Sequence, residues 1–194
     1  MKVKLFGKIS VVNNTKTFVS LLAILSFSCN PSSPDYAYVT NNYVLITSAI
    51  KISKESRLKF QDKFADALDS FLTKDNPLIK LDDIKLLLEE AKKQNVIAET
   101  FVLSSNEIDS SLHYKEKSYD MFKYMDTLYI DEYPNIFKIM EGSLTRKKDL
   151  IMEILIPSEN ILKLKATDVI NTAKLVIKKY GIKLVSIPPG SSQW

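Results

Sequence analysis

The clearest hydrophobic pattern in the chain predicts an amphipathic helix over residues 53–73. Apolar side chains recur there at intervals of three and four residues, and lysines and aspartates fill the positions between them. The apolar positions are Phe60, Phe64, Ala67, Leu68, Phe71 and Leu72. Because a stripe with this spacing is usually a core face rather than a binding groove, we expect it to pack in the interior.

The same periodicity and the terminal residues predict further helices. A second helix turns Ile84, Leu87, Leu88 and Ala91 inward, with Asp82 and Asp83 near its N-terminus. Ser104 and Glu107 have the spacing of a capping box that starts a third helix, and Pro134 and Pro157 are each expected to interrupt the chain. The predicted spans are residues 81–95, 104–128, 135–141 with Gly142 as the C-terminal cap, and 167–181 with Gly181 as the C-terminal cap.

Three shorter segments rich in β-branched or apolar residues favour strands. They are residues 43–52, 96–103 and 182–187. The expected fold class is therefore mainly α, a single helical domain, with α+β containing a few short strands as the alternative.

The N-terminus has the pattern of an export signal. Lysines precede an uncharged run over residues 18–28, and that run is too short to span a bilayer, which needs about 20 apolar residues. Small Ser26 and Ser28 come just before Cys29, the only cysteine in the chain. We therefore predict a lipoprotein signal peptide over residues 1–28 and lipidation of Cys29. An ordinary secretory signal and an uncleaved N-terminal anchor are the alternatives.

The segment after Cys29 has the composition of a tether. Residues 29–35 contain two prolines and two serines and are predicted to link the lipid to a globular domain over residues 36–194. With one cysteine no disulfide framework can form, so a conventional hydrophobic core must hold this domain.

The charge of the chain is concentrated in the predicted signal peptide. Four of the 27 lysines and arginines lie in residues 1–28, and none of the 23 acidic residues does. The rest of the chain is therefore close to neutral, which gives it no bulk electrostatic reason to bind nucleic acid.

Catalytic motifs are missing from the sequence. His113 is the only histidine and is expected to be structural, in a helix between Leu112 and Tyr114. Acidic pairs such as Asp82 and Asp83 point in different directions on a helix. We expect neither enzymatic activity nor a cofactor or metal, with a hydrolase that uses paired carboxylates as the alternative.

A tyrosine-rich segment is the one compositional oddity. Successive tyrosines five residues apart advance by 140° around a helix, so they cannot share one face. Some are expected to face the core and others to form a binding surface or simply to pack with their hydroxyls reaching water. The candidates are Tyr114, Tyr119, Tyr124, Tyr129 and Tyr133.

The lysine-rich N-terminus, the Ser26-Phe27-Ser28-Cys29 sequence and the polar tether resemble a Borrelia-type outer-surface lipoprotein. The resemblance covers residues 1–35, and beyond it only the composition and helical character agree. It implies acylation of Cys29, outer-membrane anchoring, surface display and binding of a host macromolecule such as a complement regulator or matrix component. A periplasm-facing envelope lipoprotein is the alternative.

Overall fold

The computed structural model describes residues 34–73, 80–142 and 146–182, and these ranges are almost entirely helical. Across them the chain forms five α-helices and one π-helix, and no strand occurs in these ranges. The elements are α1 Pro34–Thr73, α2 Asp82–Ser104, α3 Tyr114–Thr127, a π-helix Leu128–Glu132, α4 Tyr133–Glu141 and α5 Lys147–Tyr180. The prediction of a mainly α fold is confirmed.

Helix α1 contains the predicted helix over residues 53–73, but it starts about five turns earlier. The strand predicted over residues 43–52 is wrong, because Val39, Tyr43, Ile46 and Ala49 continue the three-and-four spacing and are buried. They extend one apolar stripe through Phe60, Phe64 and Leu68, all in the core. With 40 residues α1 is about 60 Å long.

Helix α2 begins with the predicted second helix and absorbs the strand predicted over residues 96–103, which is also wrong. Ala98 and Val102 are fully buried, whereas Val96 and Leu103 are more than half exposed. This pattern repeats every three or four residues rather than every two. Packing of one face against α1 and α3 therefore outweighs the local β-propensity.

The predicted capping box at Ser104 and Glu107 is wrong, because α2 ends at Ser104 and α3 begins only at Tyr114. Glu107 instead caps the start of α3 from the intervening loop. Its carboxylate accepts hydrogen bonds from the backbone N–H groups of Tyr114 at 2.9 Å, Lys115 at 3.1 and 3.3 Å and Glu116 at 3.3 Å. An acceptor with negative charge suits the free N–H groups and positive dipole of a helix start.

Helix α3, the π-helix and α4 form one unbroken helical rod. The predicted helix over residues 135–141 is confirmed as part of α4, with Gly142 as its C-terminal cap. Pro134 lies at the start of α4, directly after a wider π turn in which Tyr133 N–H bonds to the carbonyl of Leu128. Because proline has no N–H and crowds the preceding turn, the π turn lets the rod continue past it.

Helix α5 also passes through a proline, and the interruption predicted at Pro157 is wrong. Pro157 is exposed, so the carbonyl it cannot bond is able to reach water. On the opposite side Ile151, Leu155 and Leu162 are buried in the core, and this packing holds the helix on both sides of Pro157. The start predicted at residue 167 or 168 is therefore replaced by Lys147, whereas the cap at Gly181 is confirmed by its left-handed φ of 62°.

The helices pack as a bundle in which α1 lies along α2, α3 contacts both α2 and α5, and α4 contacts α5. At one end the loop over residues 105–113 joins three helices. Tyr38 donates to the carbonyl of Glu107 at 3.3 Å, Asn106 N–H donates to Asn42 at 2.6 Å, and Lys179 pairs with Asp109. Hydrogen bonding to Lys179 and Ser111 lowers the pKa of Asp109. This end, which we call the loop end, therefore contains the start of α1 and the end of α5.

Three predictions fall outside the described residues: the signal peptide, lipidation at Cys29 and most of the strand over residues 182–187. The last two residues of the predicted tether do not, since α1 already begins at Pro34. Among the helices that the structure describes, none has a stretch apolar and long enough to cross a membrane.

The Glu107 cap yields a direct prediction. Replacing Glu107 with Ala leaves the first N–H groups of α3 without their carboxylate and should lower the free energy of unfolding by about 0.5–2 kcal/mol. Urea denaturation of Glu107→Ala and of the control Glu153→Ala, at an exposed position within α5, measures this. A loss no larger than that of the control would contradict the capping role.

Candidate functional site

The structure divides the five candidate tyrosines into two groups. Tyr114, Tyr129 and Tyr133 are buried in the core, so their side chains offer almost no area to a partner. Tyr119 and Tyr124 are half-buried and pack against the core from its edge. An interface role at these two positions stays a prediction.

Two of the buried tyrosines belong to an aromatic cluster that joins α1 to the α3–α4 rod. Tyr133 meets Phe60 and Phe64 edge to face, with ring centroids 4.7 and 5.1 Å apart. Tyr129 stacks on Tyr133 at 6.2 Å and meets Phe60 edge-on at 6.4 Å, and Phe137 meets Phe64 at 6.0 Å. These distances fall in the favourable range for aromatic pairs.

The two tyrosine hydroxyls of this cluster differ in their hydrogen bonding. Tyr133 donates its hydroxyl to Glu159 of α5 at 2.9 Å, whereas the buried Tyr129 oxygen has no hydrogen-bond partner in the described residues. Burial raises the pKa of both phenols well above the ordinary value. Both tyrosines therefore stay neutral and act as packing groups.

Tyr114 forms a second ring contact nearer the loop end. It stacks on Tyr43 of α1 at 5.9 Å, and burial raises the pKa of both side chains. This pair fixes the start of α3 against α1, while the aromatic cluster fixes the far part of the rod. The segment predicted as a binding surface thus supplies both contacts.

Of the two half-buried candidates, Tyr124 is the one whose hydroxyl and ring both make described contacts. Its hydroxyl donates to the carbonyl of Ser158 at 3.2 Å, and the Lys165 ammonium lies 5.7 Å from its ring centroid. Lys165 also pairs with Asp120 of α3. Ile161, 42% exposed, lies on the same α5 face as Ser158 and Lys165, so an aromatic ring, an aliphatic side chain and a cation share one edge of the bundle.

A polar cluster lies between α2 and α3. The fully buried Asn95 donates its amide to the carbonyl of Phe122 at 3.0 Å and to Asp126 Oδ1 at 2.7 Å. Lys123 Nζ lies 3.8 Å from Glu99 Oε2 and 3.4 Å from Asp126 Oδ2. The two carboxyl side chains are only 12% and 15% exposed. Burial, followed by hydrogen bonding and repulsion from Asp126, raises the pKa of Glu99 to about 7.

The prediction that His113 lies in a helix is wrong. This residue precedes α3 with a left-handed φ of 54°, is exposed, and lies 2.8 Å through Nδ1 from Glu116. Within the described ranges no three His, Cys, Asp or Glu side chains come together as a metal-binding group.

A shallow groove runs between α1 and α2, with a volume of about 410 Å³. Its charged side chains have both signs: Lys51, Lys59, Glu55 and Glu90. Glu55 and Lys59 pair with each other at 2.9 Å across one turn. The groove therefore presents no net charge that would select an anionic or a cationic ligand.

The polar cluster was missed by the sequence interpretation. The sequence does contain a signal for it, because Asn95 falls on the buried face of α2. That face repeats every three or four residues and carries Ile84, Leu88, Ala91, Asn95 and Ala98. The predicted helix stopped at residue 95, so Glu99 was assigned to a strand and its position beside Asn95 was lost. An inward-facing polar residue on an otherwise apolar helix face is the observation that would have located the cluster.

Comparison with protein-family models, with curated proteins and with solved structures finds no match for this chain.

The placement of the tyrosines predicts two classes of alanine variant. Tyr129→Ala and Tyr133→Ala should each lower the free energy of unfolding by about 3–5 kcal/mol, as loss of a buried ring does. Tyr119→Ala and Tyr124→Ala should each cost about 1 kcal/mol, because only part of the ring is buried. Urea denaturation measures all four, and Tyr124→Phe isolates the hydroxyl bond. An equal loss in both classes would contradict this division.

Proposed function

We propose that the chain is a lipid-anchored bacterial surface protein whose helical domain binds a host macromolecule of the complement-regulator or matrix type. The observation that carries the proposal is the N-terminal pattern of lysines, a short apolar run and small residues before Cys29. The acyl chains on Cys29 are the membrane partner in this proposal, and the location is the outer surface of the outer membrane.

The position of α1 determines how such a domain would sit on its anchor. Only four residues separate Cys29 from the first residue of α1, Pro34, so the chain makes five Cα–Cα steps between them. Fully extended, they span at most about 18 Å. The loop end of the bundle would therefore lie close to the lipid headgroups, with the loop over residues 105–113 and the end of α5 beside it.

This orientation favours the sides and far end of the bundle as contact surfaces. Leu86 on α2 is 70% exposed and Leu164 on α5 is 71% exposed. Single exposed aliphatic residues are common, so they mark no site on their own. The edge formed by Tyr124, Ile161 and Lys165 places a tyrosine, a residue type enriched at protein interfaces, beside an exposed isoleucine, and we favour it as the contact surface.

The anchor predicts the behaviour of one substitution. Cys29→Ala should abolish incorporation of labelled palmitate and release the protein from membranes. Each buried CH₂ contributes about 0.8 kcal/mol, so two or more long chains hold a protein that one chain would not. Ser28→Ala is the matched control, because it keeps a small residue before the cysteine. Detergent phase partitioning and a high-salt wash provide the measurement.

The proposal fails at the anchor if wild-type protein takes up no palmitate, or if Cys29→Ala stays on the membrane after the wash. Protease treatment of intact cells then tests the location. Digestion of the domain supports surface display, and survival until the outer membrane is opened supports the periplasm-facing alternative. Binding of the wild-type and Tyr124→Ala proteins to purified complement regulators and matrix proteins tests the ligand class.

A further inference from the structure

Two buried oxygen atoms on one face of α2 have no hydrogen-bond donor among the described residues. They are Oδ1 of Asn95 and Oε1 of Glu99, one helical turn apart. Both are acceptors if Glu99 is ionised, and a buried acceptor without a donor is costly. The amide orientation of Asn95 is fixed, since its nitrogen already donates to Phe122 and Asp126.

A proton on Glu99 would turn its unpaired carboxyl oxygen from an acceptor into a donor. A protonated carboxyl donates one O–H and can bond to a neighbouring acceptor, either Asp126 or Asn95. It also removes the repulsion between two carboxylates that are both largely buried at one helix contact. Lys123 approaches both carboxyls, but it is half exposed and its nearest distances are those of loose ion pairs.

We propose that Glu99 carries a proton in the folded protein near neutral pH, and that this proton makes the contact between α2 and α3 a pH-sensitive clasp. Below neutrality the acid joins Glu99 to the Asp126–Asn95 pair and holds the two helices together. Above neutrality the proton leaves, two carboxylates face each other across the contact, and α3 is held less tightly.

The charged groups that act on the Glu99 carboxyl both come from α3, whereas those of α1 and α5 act on Tyr129. From α3, Asp126 raises the pKa of Glu99 and Lys123 lowers it, while burial is the largest cause of its rise to about 7. Tyr119 raises the pKa of Lys123, and Asp126 raises the pKa of Tyr129. Arg57 of α1 lowers the pKa of Tyr129, and Glu159 of α5 raises it.

The sign of the pH effect follows from the raised pKa. The folded protein keeps the Glu99 proton up to about pH 7, whereas the unfolded chain releases it near its ordinary value of 4.5. Between these values the folded state binds more protons, so the free energy of unfolding falls as the pH rises. Above pH 7 this contribution is constant at its lower level.

The test is a side-chain carbon NMR titration of the full-length protein labelled at glutamate, in detergent. We expect a midpoint near pH 7 for the Glu99 carboxyl. Asp126→Asn should lower the Glu99 midpoint only in part, because burial, the largest cause of the rise, remains. A wild-type midpoint below pH 5 would overturn the proposal.

Thermal unfolding provides the second readout. Glu99→Gln replaces the protonated acid with a neutral donor, so the Tm difference between pH 5.5 and pH 8.5 should shrink by roughly 3–8 °C relative to wild type. Glu89→Gln, on the exposed face of the same helix, should keep the wild-type difference. Equal pH dependence in Glu99→Gln and wild type would overturn the clasp. So would a Tm rise on adding Ca²⁺ or Mg²⁺ at pH 8.5 that Glu99→Gln abolishes, since a metal ion would then occupy the two oxygens.

Discussion

The edge-to-face contact of Tyr133 with Phe60 and Phe64 is the interaction on which the bundle depends most. It joins the middle of the 40-residue α1 to the rod formed by α3, the π-helix and α4. The π turn before Pro134 allows that rod to continue, so that Tyr129, Tyr133 and Phe137 follow one another along the aromatic cluster. Tyr133 also reaches Glu159, which brings α5 into the same contact.

Polar contacts hold the bundle in two places besides its aromatic core. Near the loop end, loop 105–113 is held by charge-assisted hydrogen bonds: Glu107 caps α3 and Asp109 binds Lys179 and Tyr180. Between α2 and α3 the contact relies on the Asn95, Glu99 and Asp126 cluster. The rod of α3, the π-helix and α4 therefore contacts α2 through a polar cluster and α1 through aromatic rings.

The sequence predicted the helical class and the core stripe because Phe60, Phe64 and Leu68 repeat with an unmistakable helical period. It did not predict helix lengths, since β-branched stretches such as residues 96–103 become helical only when tertiary packing selects one face. The helix-breaking effect of the prolines was overestimated. The helix continues through Pro157 because it lies on an exposed face, and through Pro134 because a π turn precedes it. The partners of Glu99 and Glu107 lie on another helix or across a loop, and no local pattern reveals such contacts.

The central claim is that the ring contacts between α1 and α4 hold the bundle together, and a double-mutant cycle measures it most directly. Phe60→Leu and Tyr133→Leu keep apolar bulk but remove the rings, and urea denaturation of both single variants and the double variant gives their coupling. We expect a coupling of about 0.5–1.5 kcal/mol. Phe60→Leu with Tyr114→Leu, whose ring contact lies about 25 Å away along α1, should couple by less than about 0.5 kcal/mol. Equal coupling in the two cycles, or none between Phe60 and Tyr133, would contradict the account.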